Sequence, residues 1–306
     1  MTDAAQTLVM TGATRGIGRI AAERILVERP EAHLILLARG SAGGLSSAAA
    51  RSGRVTVVEA DLASMRSTSD AATEVIALLG SGSLPPLRGF IGNAGIQYTN
   101  NRTATVEGFE ATFAVNVLAN HLLIRRLVDH LQQPARIVVT VSDTHFGDFR
   151  HNLGLVPGPQ WLPADRLARV EAFPNPQSTK AGRTAYSTSK LAAVYLVHEW
   201  ARRLPRGVDV ISYNPGLVPG TDLARDAGPV TRFAMRRVLP LLAATPLATS
   251  PARAGQFLAD AALGVTLAPS GAYIDRSQAV PSSRESYDPE RELETWNTAE
   301  ALTAAW

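Results

Sequence analysis

The chain has 306 residues and a mass of 32.5 kDa, and 45% of its residues are hydrophobic while 19% are charged. That composition can bury a sizeable core, which excludes a globally disordered chain. The absence of cysteine excludes a disulfide scaffold, a zinc–thiolate site and a cysteine nucleophile. The six histidines lack metal-ligand spacing, so we expect no metal to be bound.

The basic residues are 28 arginines and only two lysines, Lys180 and Lys190, and the formal net charge is +3. Because the arginines are scattered, they indicate a solvated surface rather than a nucleic-acid patch. No apolar run approaches the roughly 18 residues of a membrane span. The chain is already strand-like at Thr7, which leaves no room for a signal peptide. We therefore expect a cytoplasmic protein that binds neither nucleic acid nor membrane.

Short apolar runs alternate with helical patterns along the chain. Six such runs predict strands: 8–10, 33–38, 55–58, 87–91, 136–141 and 208–212. Continuous apolar strands separated by helices are typical of a parallel sheet with helices on both faces. The prediction is one α/β domain over residues 1–306, a doubly wound parallel sheet of about seven strands of the Rossmann type.

Two segments depart from this alternation. Residues 143–185 contain five prolines and several aromatic side chains, and we interpret them as an insertion near the substrate site rather than a domain boundary. Residues 281–306 begin with a turn-like stretch and continue as a helical pattern that places Leu293, Trp296 and Ala299 on one face. They predict a C-terminal helical extension.

A glycine-rich turn follows the first strand. Gly12, Gly16 and Gly18 lie between that strand and a helical pattern that continues to Arg29. Glycines at such a turn let the backbone approach a pyrophosphate, and the helix N-terminus supplies N–H groups with partial positive charge. The pattern favours a dinucleotide site, and the alternative is a glycine-rich tight turn without a ligand.

Two arginines indicate which dinucleotide is bound. Arg39 ends the second strand, where the adenosine ribose lies in a Rossmann half, and Arg15 lies in the glycine turn. An acidic residue at the strand end suits the 2′-hydroxyl of NAD, whereas arginine suits the 2′-phosphate of NADP. The pair favours NADP(H), and the alternative is two ordinary surface arginines.

Tyr186 and Lys190 stand four residues apart on an otherwise apolar helical pattern. At that spacing both side chains lie on one helix face, about 5–6 Å apart at Cβ. A neighbouring ammonium favours phenolate and lowers a tyrosine pKa from its usual value near 10. We therefore expect Tyr186 to give and take protons near neutral pH.

Taken in order, these motifs resemble the short-chain dehydrogenases/reductases over nearly the whole chain. The matching positions are the cofactor loop 11–18, Asp61 and Leu62 after the third strand, Asn93, Ala94 and Gly95 after the fourth, Asn116, Ser142 at the end of the fifth, Tyr186 with Lys190, and 214–216 after the sixth. The resemblance implies an NADP(H) site with these contacts: Gly12, Thr14, Arg15, Gly16, Ile17, Gly18, Arg39, Asp61, Leu62, Asn93, Ala94, Gly95, Tyr186, Lys190, Pro215, Gly216, Leu217 and Thr221.

The resemblance also implies a reaction and four catalytic residues. The reaction is hydride transfer between the nicotinamide and a carbonyl or carbinol carbon. Tyr186 would exchange the proton, Lys190 would lower its pKa and bind the nicotinamide ribose, and Ser142 would hydrogen-bond the carbonyl oxygen. Asn116 would hold a water that links Lys190 to solvent.

The long insertion before Tyr186 resembles the retinol dehydrogenase, protochlorophyllide reductase and carbonyl reductase branches. The chain departs from the family pattern at Asp143, where a second serine is common, and its lack of cysteine argues against the photochemical reductase. Apolar residues in 143–185 and 217–245 predict a pocket for a lipophilic ketone. The predicted substrate contacts are Asp143, His145, Phe146, Trp161 and Leu223, although these aromatic side chains could instead pack the insertion onto the body.

Two other interpretations of the function stay open at this point, and so does the oligomeric state. A dehydratase, epimerase or cyclase can use the same fold, and an NADP-sensing regulatory protein can keep the cofactor site alone. The family often dimerises through the helices that carry Asn116 and Tyr186. Here the insertion and the arginine-rich face of those helices favour a monomer over a homodimer.

Overall fold

The computed structural model of the protein describes residues 5–40, 45–152, 154–219 and 248–306. Within these ranges the strands are β1 Gln6–Thr11, β2 Ala32–Ala38, β3 Val55–Glu59, β4 Leu87–Gly92, β5 Ala135–Thr140, β6 Val208–Asn214, β7 Tyr273–Asp275 and β8 Gln278–Val280. They form one sheet in the order β3-β2-β1-β4-β5-β6-β7-β8. Neighbouring strands from β3 to β7 pair in parallel, and β8 returns antiparallel to β7.

The predicted fold class is confirmed. The six apolar runs become β1 to β6, and β7 completes seven parallel strands. All six residues of β1 are buried, as continuous apolar strands require when both faces of a sheet are covered. The antiparallel β8 is exposed along its whole length, so it carries no apolar run that a sequence pattern could detect.

Helices cover both faces of the sheet. Their bounds among the described residues are α1 Gly16–Glu28, α2 Ser47–Ala50, α3 Met65–Gly80, α4 Ala111–Phe113, α5 Ala119–Leu127, α6 Phe149–Asn152, α7 Ala164–Leu167, α8 Thr179–Arg203, α9 Pro251–Ala262 and α10 Pro289–Thr303. A π-helical turn, Ala114–Leu118, joins α4 to α5. The apolar faces of α1 and α9 pack on one side of the sheet, and those of α3, α5 and α8 pack on the other.

Side-chain caps set where several helices begin. Ser64 accepts a hydrogen bond from the Ser67 amide at the start of α3, and Ser178 accepts one from Ala181 at the start of α8. Asp288 accepts from the first amides of α10, where its charge also complements the helix dipole. Such caps typically stabilise a helix by about 1 kcal/mol each.

The strand order reverses between β1 and β4. At such a point the connections on the two sides diverge and leave a crevice at the carboxyl ends of the strands. The loops after β1, β4, β5 and β6 all lie at these carboxyl ends and border the crevice. The fold thereby brings together the motifs that follow those four strands.

The predicted C-terminal extension includes α10, which packs along α8. Trp296 of α10 lies against Trp200 of α8 with ring centroids 4.8 Å apart, and Arg203 lies over the same Trp296 ring at 4.3 Å. Beneath them the buried His198 and Glu292 pair at 2.7 Å. In the part of the chain that the structure describes, no helix is both long and apolar enough to cross a membrane.

Candidate active site

The glycine loop after β1 packs directly against the loop after β4. The amide of Asn93 donates to the Gly12 carbonyl at 3.2 Å, and the Ala94 backbone N–H donates to the Thr11 hydroxyl at 3.0 Å. Gly12 has a φ of +66°, and a methyl group built on it would lie 2.9 Å from the Ala94 backbone. The chain therefore needs glycine here both for its conformation and for the close approach of the two loops.

The start of α1 has the features of a phosphate cradle. Gly16 has a φ of +55° and open space around the position of a Cβ. Among the described residues no side chain caps this helix, and its first turn contains no acidic residue. Its first amides therefore face outward with the positive end of the helix dipole, which suits a pyrophosphate. Thr14 and Ile17 lie half-buried in the same loop.

The residues expected around the adenosine end lie at the surface near the ends of β2 and β3. Arg39 directly follows β2 and is exposed, and Arg15, the residue before α1, is exposed as well. Asp61 follows β3 and uses its carboxylate to accept the Ala63 amide at 3.1 Å, and Leu62 packs partly onto the core. An exposed cation in the glycine loop, Arg15, and a second one directly after β2, Arg39, fit an adenosine phosphate.

Tyr186, Lys190 and Asn116 converge beside Gly95. The Lys190 ammonium donates to the Thr140 carbonyl at 2.9 Å and lies 5.7 Å from the centroid of the Tyr186 ring. A methyl group on Gly95 would lie 3.3 Å from both Lys190 Nζ and Asn116 Oδ1, so the loop after β4 touches both residues. All three side chains are almost fully buried.

Asn116 lies in the π-helical turn between α4 and α5. Its Oδ1 accepts the Ile96 amide at 2.9 Å, and its Nδ2 donates to the Ile96 carbonyl and to the Ser189 hydroxyl. A π-bulge often marks a functional position in a helix. Here the turn aims Asn116 at the loop after β4, and Asn116 holds that loop in register with α8.

The electrostatic environment of Tyr186 differs from the sequence-based expectation. Burial raises the Tyr186 pKa, and the nearby Asp143 carboxylate raises it further, while a hydrogen bond with Ser142 opposes the shift. Burial lowers the Lys190 pKa to about 8. The Tyr186 pKa is therefore raised and not lowered as the sequence predicted, because burial of the phenol is the largest influence on it. Tyr186 is a protonated phenol at neutral pH.

Ser142 follows β5 and begins a short 3₁₀ turn, Asp143–Phe146. Its backbone is extended and its hydroxyl accepts the Thr144 amide at 3.3 Å. The same hydroxyl lies 3.4 Å from a carboxylate oxygen of Asp143. The Tyr186 phenol forms a hydrogen bond with the Ser142 side chain. A carbonyl oxygen bound beside these two groups could accept a hydrogen bond from each of them.

Asn214, at the end of β6, links two loops of the site. Its Oδ1 accepts the Asp143 amide at 3.2 Å and the Gly216 amide at 3.1 Å, and its Nδ2 donates to Asp275 at 2.9 Å. Sequence reasoning noted the Asn214-Pro215-Gly216 motif without giving Asn214 a role. The sequence signal for such a role was the position of a polar residue at the end of an apolar strand, directly before a turn. Asn214 therefore fixes the Ser142 loop relative to the Pro215-Gly216 turn. The next residue, Leu217, accepts a hydrogen bond from the Thr249 backbone amide.

Two of the predicted substrate contacts have partners within the protein. His145 is fully buried, and both of its ring nitrogens are bonded within the protein, to Ser142 and to Ser283. Trp161 packs edge-on against Tyr195 at 4.9 Å and donates to Glu294, so it anchors the insertion to α8 and α10. Both side chains serve the packing of the insertion because their polar atoms are already engaged.

Two other predicted substrate residues stay at the site. Asp143 is half-buried beside Ser142. Phe146 is also half-buried, and its ring stacks on His151 with centroids 3.8 Å apart. Thr221 and Leu223, predicted to contact cofactor and substrate, lie outside the described residues.

We expect Asp143→Asn to stabilise the protein above pH 6. Burial, with the Asp275 charge second, raises the Asp143 pKa from 3.8 to about 6. The contribution of Asp143 to stability is therefore complete below pH 3.8 and is lost as the pH rises through 6, because the folded state disfavours the ionised carboxylate. The amide removes this cost, which is on the order of 3 kcal/mol at pH 7.5 because one pKa unit corresponds to about 1.4 kcal/mol.

Thermal unfolding of both proteins at pH 4 and pH 7.5 measures this effect. A Tm gain for Asp143→Asn at pH 7.5 that shrinks at pH 4 is the expected result. Asp70→Asn, at an exposed position on α3, is the matched control and should show no such dependence. A loss of Tm at pH 7.5 in the Asp143 variant would contradict the assignment.

Comparisons with known proteins place this site in context. The model of the short chain dehydrogenase family matches residues 6–152. Protochlorophyllide reductase A of Oryza sativa subsp. japonica is 27% identical over 316 residues, covering 96% of this chain and 80% of the relative. A provisionally named daunorubicin C-13 ketoreductase of Streptomyces sp. (strain C5) is 33% identical over 217 residues, covering 70% of this chain and 66% of the relative.

A solved structure has a similar fold. An uncharacterised protein of Mycobacterium paratuberculosis is 26% identical and superposes with a TM-score of 0.62, covering 99% of this chain and 95% of that chain. The likeness extends over the whole architecture, including the C-terminal extension.

Proposed function

Because the chain belongs to the short-chain dehydrogenase/reductase family, we propose that it is an NADP(H)-dependent oxidoreductase that interconverts a ketone or aldehyde and an alcohol on a lipophilic small molecule. Membership of this oxidoreductase family supports an enzyme. The cofactor, the substrate and the residue roles are the parts that we propose.

One observation carries the proposal. Tyr186 and Lys190 on α8, Ser142 after β5 and Asn116 in the π-helical turn come from three separate chain segments and form one cluster: Lys190 and Asn116 lie beside Gly95, and Tyr186 hydrogen-bonds with Ser142. Their polar atoms are buried or half-buried, so each has been held in place at a cost in solvation. A structural role alone does not require a phenol, a hydroxyl and an ammonium around a single point.

The catalytic roles follow from the protonation states. Tyr186, protonated at neutral pH, donates its proton to the oxygen of the carbonyl group as that oxygen gains charge. Ser142 donates a second hydrogen bond to the same oxygen. Lys190, with its pKa lowered to about 8, can return a proton toward Tyr186, and Asn116 keeps α8 aligned with the loop after β4. Positioned acids of this kind contribute about 10²–10⁴-fold.

The residues present fit NADP(H). When bound, its nicotinamide supplies or accepts the hydride. Gly12, Gly16 and Gly18 with the N-terminus of α1 would hold the pyrophosphate, and Arg15 and Arg39 would hold the 2′-phosphate. Lys190, beside Gly95, would hold the nicotinamide ribose.

A lipophilic ketone is the substrate class that we propose. The half-buried Phe146 lies next to the Ser142 loop, and the insertion exposes the large apolar side chains Phe149 and Leu155. Apolar walls with a few fixed polar groups are typical of small-molecule sites. The name of the Streptomyces relative, a ketoreductase acting on the polycyclic daunorubicin, points to the same class.

Arg39→Asp tests the cofactor assignment. We expect NADPH to bind the unaltered protein at least about 100-fold more tightly than NADH. NADH lacks the 2′-phosphate, so its complex lacks a charged hydrogen-bonded pair worth about 3 kcal/mol. The variant should lose most of that preference, because an aspartate repels the 2′-phosphate and suits a 2′-hydroxyl. Parallel titrations of NADPH and NADH by fluorescence measure the two dissociation constants.

Arg206→Asp is the matched control for this substitution. Arg206 is exposed before β6, at the opposite edge of the sheet from the glycine loop, and the charge change is the same. Its cofactor preference should equal that of the unaltered protein. Tighter NADH binding by the unaltered protein would overturn the role given to Arg39.

We also propose that the protein is a monomer. The C-terminal extension covers the face of α5 and α8: Glu300 pairs with the buried His121 at 2.9 Å, and Arg126 donates to the Trp306 carbonyl at 3.0 Å. A second copy would have to displace these contacts to pack on the same face. Light scattering should give a mass near 32.5 kDa, and twice that mass would contradict the proposal.

A further inference from the structure

The ring of His145 is bonded on both sides. Its Nδ1 lies 2.6 Å from the Ser142 carbonyl oxygen, which can only accept, so Nδ1 carries the hydrogen. Its Nε2 accepts the backbone N–H of Ser283 at 3.2 Å, so Nε2 carries none. The two partners therefore fix one neutral tautomer.

Burial keeps that tautomer in place. Burial, as the largest cause, lowers the His145 pKa to about 4, and the side chain is fully enclosed between Phe146 and Tyr273. A protonated ring would point an Nε2–H at the N–H of Ser283, so protonation would break that contact. At neutral pH the link from Ser142 through His145 to Ser283 is intact.

The segment 282–287 that supplies the Ser283 amide is held by α8. The Tyr195 hydroxyl donates to the Glu285 carbonyl at 2.8 Å, and His198 stacks on Tyr287 with ring centroids 5.2 Å apart. Within the segment, the Ser286 hydroxyl donates to the Ser283 carbonyl at 2.7 Å. Since α8 also carries Tyr186 and Lys190, the segment connects the helix of the phenol to the loop of Ser142.

The peptide between Ser142 and Asp143 is held from both sides, since its N–H donates to Asn214 Oδ1 at 3.2 Å and its carbonyl faces His145. Ser142 lies two residues after the end of β5, and its carbonyl accepts the His145 backbone amide at a long 3.3 Å besides the ring nitrogen. Rotation of this peptide would swing the Ser142 hydroxyl away from Tyr186. The 2.6 Å bond from the buried His145 ring is the shortest of the three hydrogen bonds that oppose this rotation.

From these contacts we infer that His145 is a positioning residue: oriented by the C-terminal segment 282–287, it holds Ser142 at the correct distance from Tyr186. The inference rests on the proposed function, because it gives Ser142 the carbonyl oxygen as its target. It assigns the C-terminal extension a part in catalysis although none of its residues touches the reacting atoms.

A double-mutant cycle tests the inference. His145→Phe preserves the ring volume and removes both hydrogen bonds, and it should lower kcat about 10–100-fold through misplacement of Ser142. In a Ser142→Ala background the same change should alter kcat by less than about 2-fold, because the group that His145 positions is gone. NADPH affinity should be unchanged in all four proteins. His145→Asn, whose amide replaces only the Nδ1 donor, should lie between the unaltered protein and His145→Phe.

The outcomes separate the inference from the proposed function. An equal fold-loss in both backgrounds assigns His145 a general structural role and overturns the inference. If the unaltered protein reduces no ketone, the proposed function fails. Hydrogen exchange then tests separately whether His145 links Ser142 to Ser283. Exchange should be faster in His145→Phe for peptides covering 141–147 and 281–287, and unchanged exchange in both overturns the link whatever the activity.

Discussion

Tyr186→Phe is expected to lower kcat for ketone reduction by about 10²–10⁴-fold, the range of a lost general acid. The substitution removes one hydroxyl from a side chain that burial holds protonated at neutral pH. NADPH affinity should stay close to that of the unaltered protein, because the glycine loop and α1 are untouched. Steady-state turnover of a lipophilic ketone, with NADPH binding measured separately, distinguishes the two effects.

Tyr195→Phe is the matched control on the same helix. It removes the hydroxyl of another buried tyrosine, which donates to the Glu285 carbonyl at 2.8 Å and so helps to hold the segment 282–287. Loss of that bond costs about 1 kcal/mol of stability, and its effect on kcat should be far smaller than that of Tyr186→Phe. Equal losses of kcat in the two variants would show that Tyr186 acts through the packing of α8.

Gly18→Ala is expected to abolish cofactor binding at working concentrations. A methyl group on Gly18 would lie 2.1 Å from the Gly12 carbonyl oxygen and 2.4 Å from the Asn93 amide. The oxygen is backbone, so the glycine loop itself must move. Overpacking of this kind costs about 3 kcal/mol. If NADPH binding requires the glycine loop to return to its original conformation, this cost corresponds to a Kd for NADPH that is roughly 100-fold weaker.

Gly80→Ala supplies the comparison. Gly80 ends α3, nothing lies within 4 Å of its added methyl, and its conformation is not one that excludes side chains. This variant should bind NADPH as the unaltered protein does and unfold at the same temperature or slightly higher. If Gly18→Ala binds NADPH normally while remaining folded, the glycine loop is not the cofactor cradle.

The sequence predicts those parts of the molecule that depend on local pattern. The runs that became β1 to β6 are continuous and apolar, and the glycine loop and the Tyr186–Lys190 pair are defined by spacing within a few residues. Each run predicts a strand, and the motif that follows it lies at the carboxyl end of that strand. The grouping of Ser142, Tyr186 and Asn116 was expected only from the resemblance to the short-chain dehydrogenases/reductases.

What the sequence could not predict depends on contacts between distant segments. The sequence could not show that His145 bonds to Ser283, because the two residues are 138 positions apart. The direction of the Tyr186 pKa shift was wrong because spacing reveals the ammonium but not the depth of burial. The predicted cytoplasmic location and the absence of a nucleic-acid partner remain predictions.

The central claim is that the site moves a hydride and a proton between NADPH and a carbonyl group. Its most direct test is to incubate the protein with NADPH and a panel of aromatic and polycyclic ketones, and to compare the loss of absorbance at 340 nm with the alcohol formed. NADPH carrying deuterium at the transferable position identifies where the hydride goes. We expect one alcohol per NADPH oxidised and deuterium on the new carbinol carbon. Turnover without NADPH loss would contradict the claim and assign the site to a dehydratase, epimerase or cyclase.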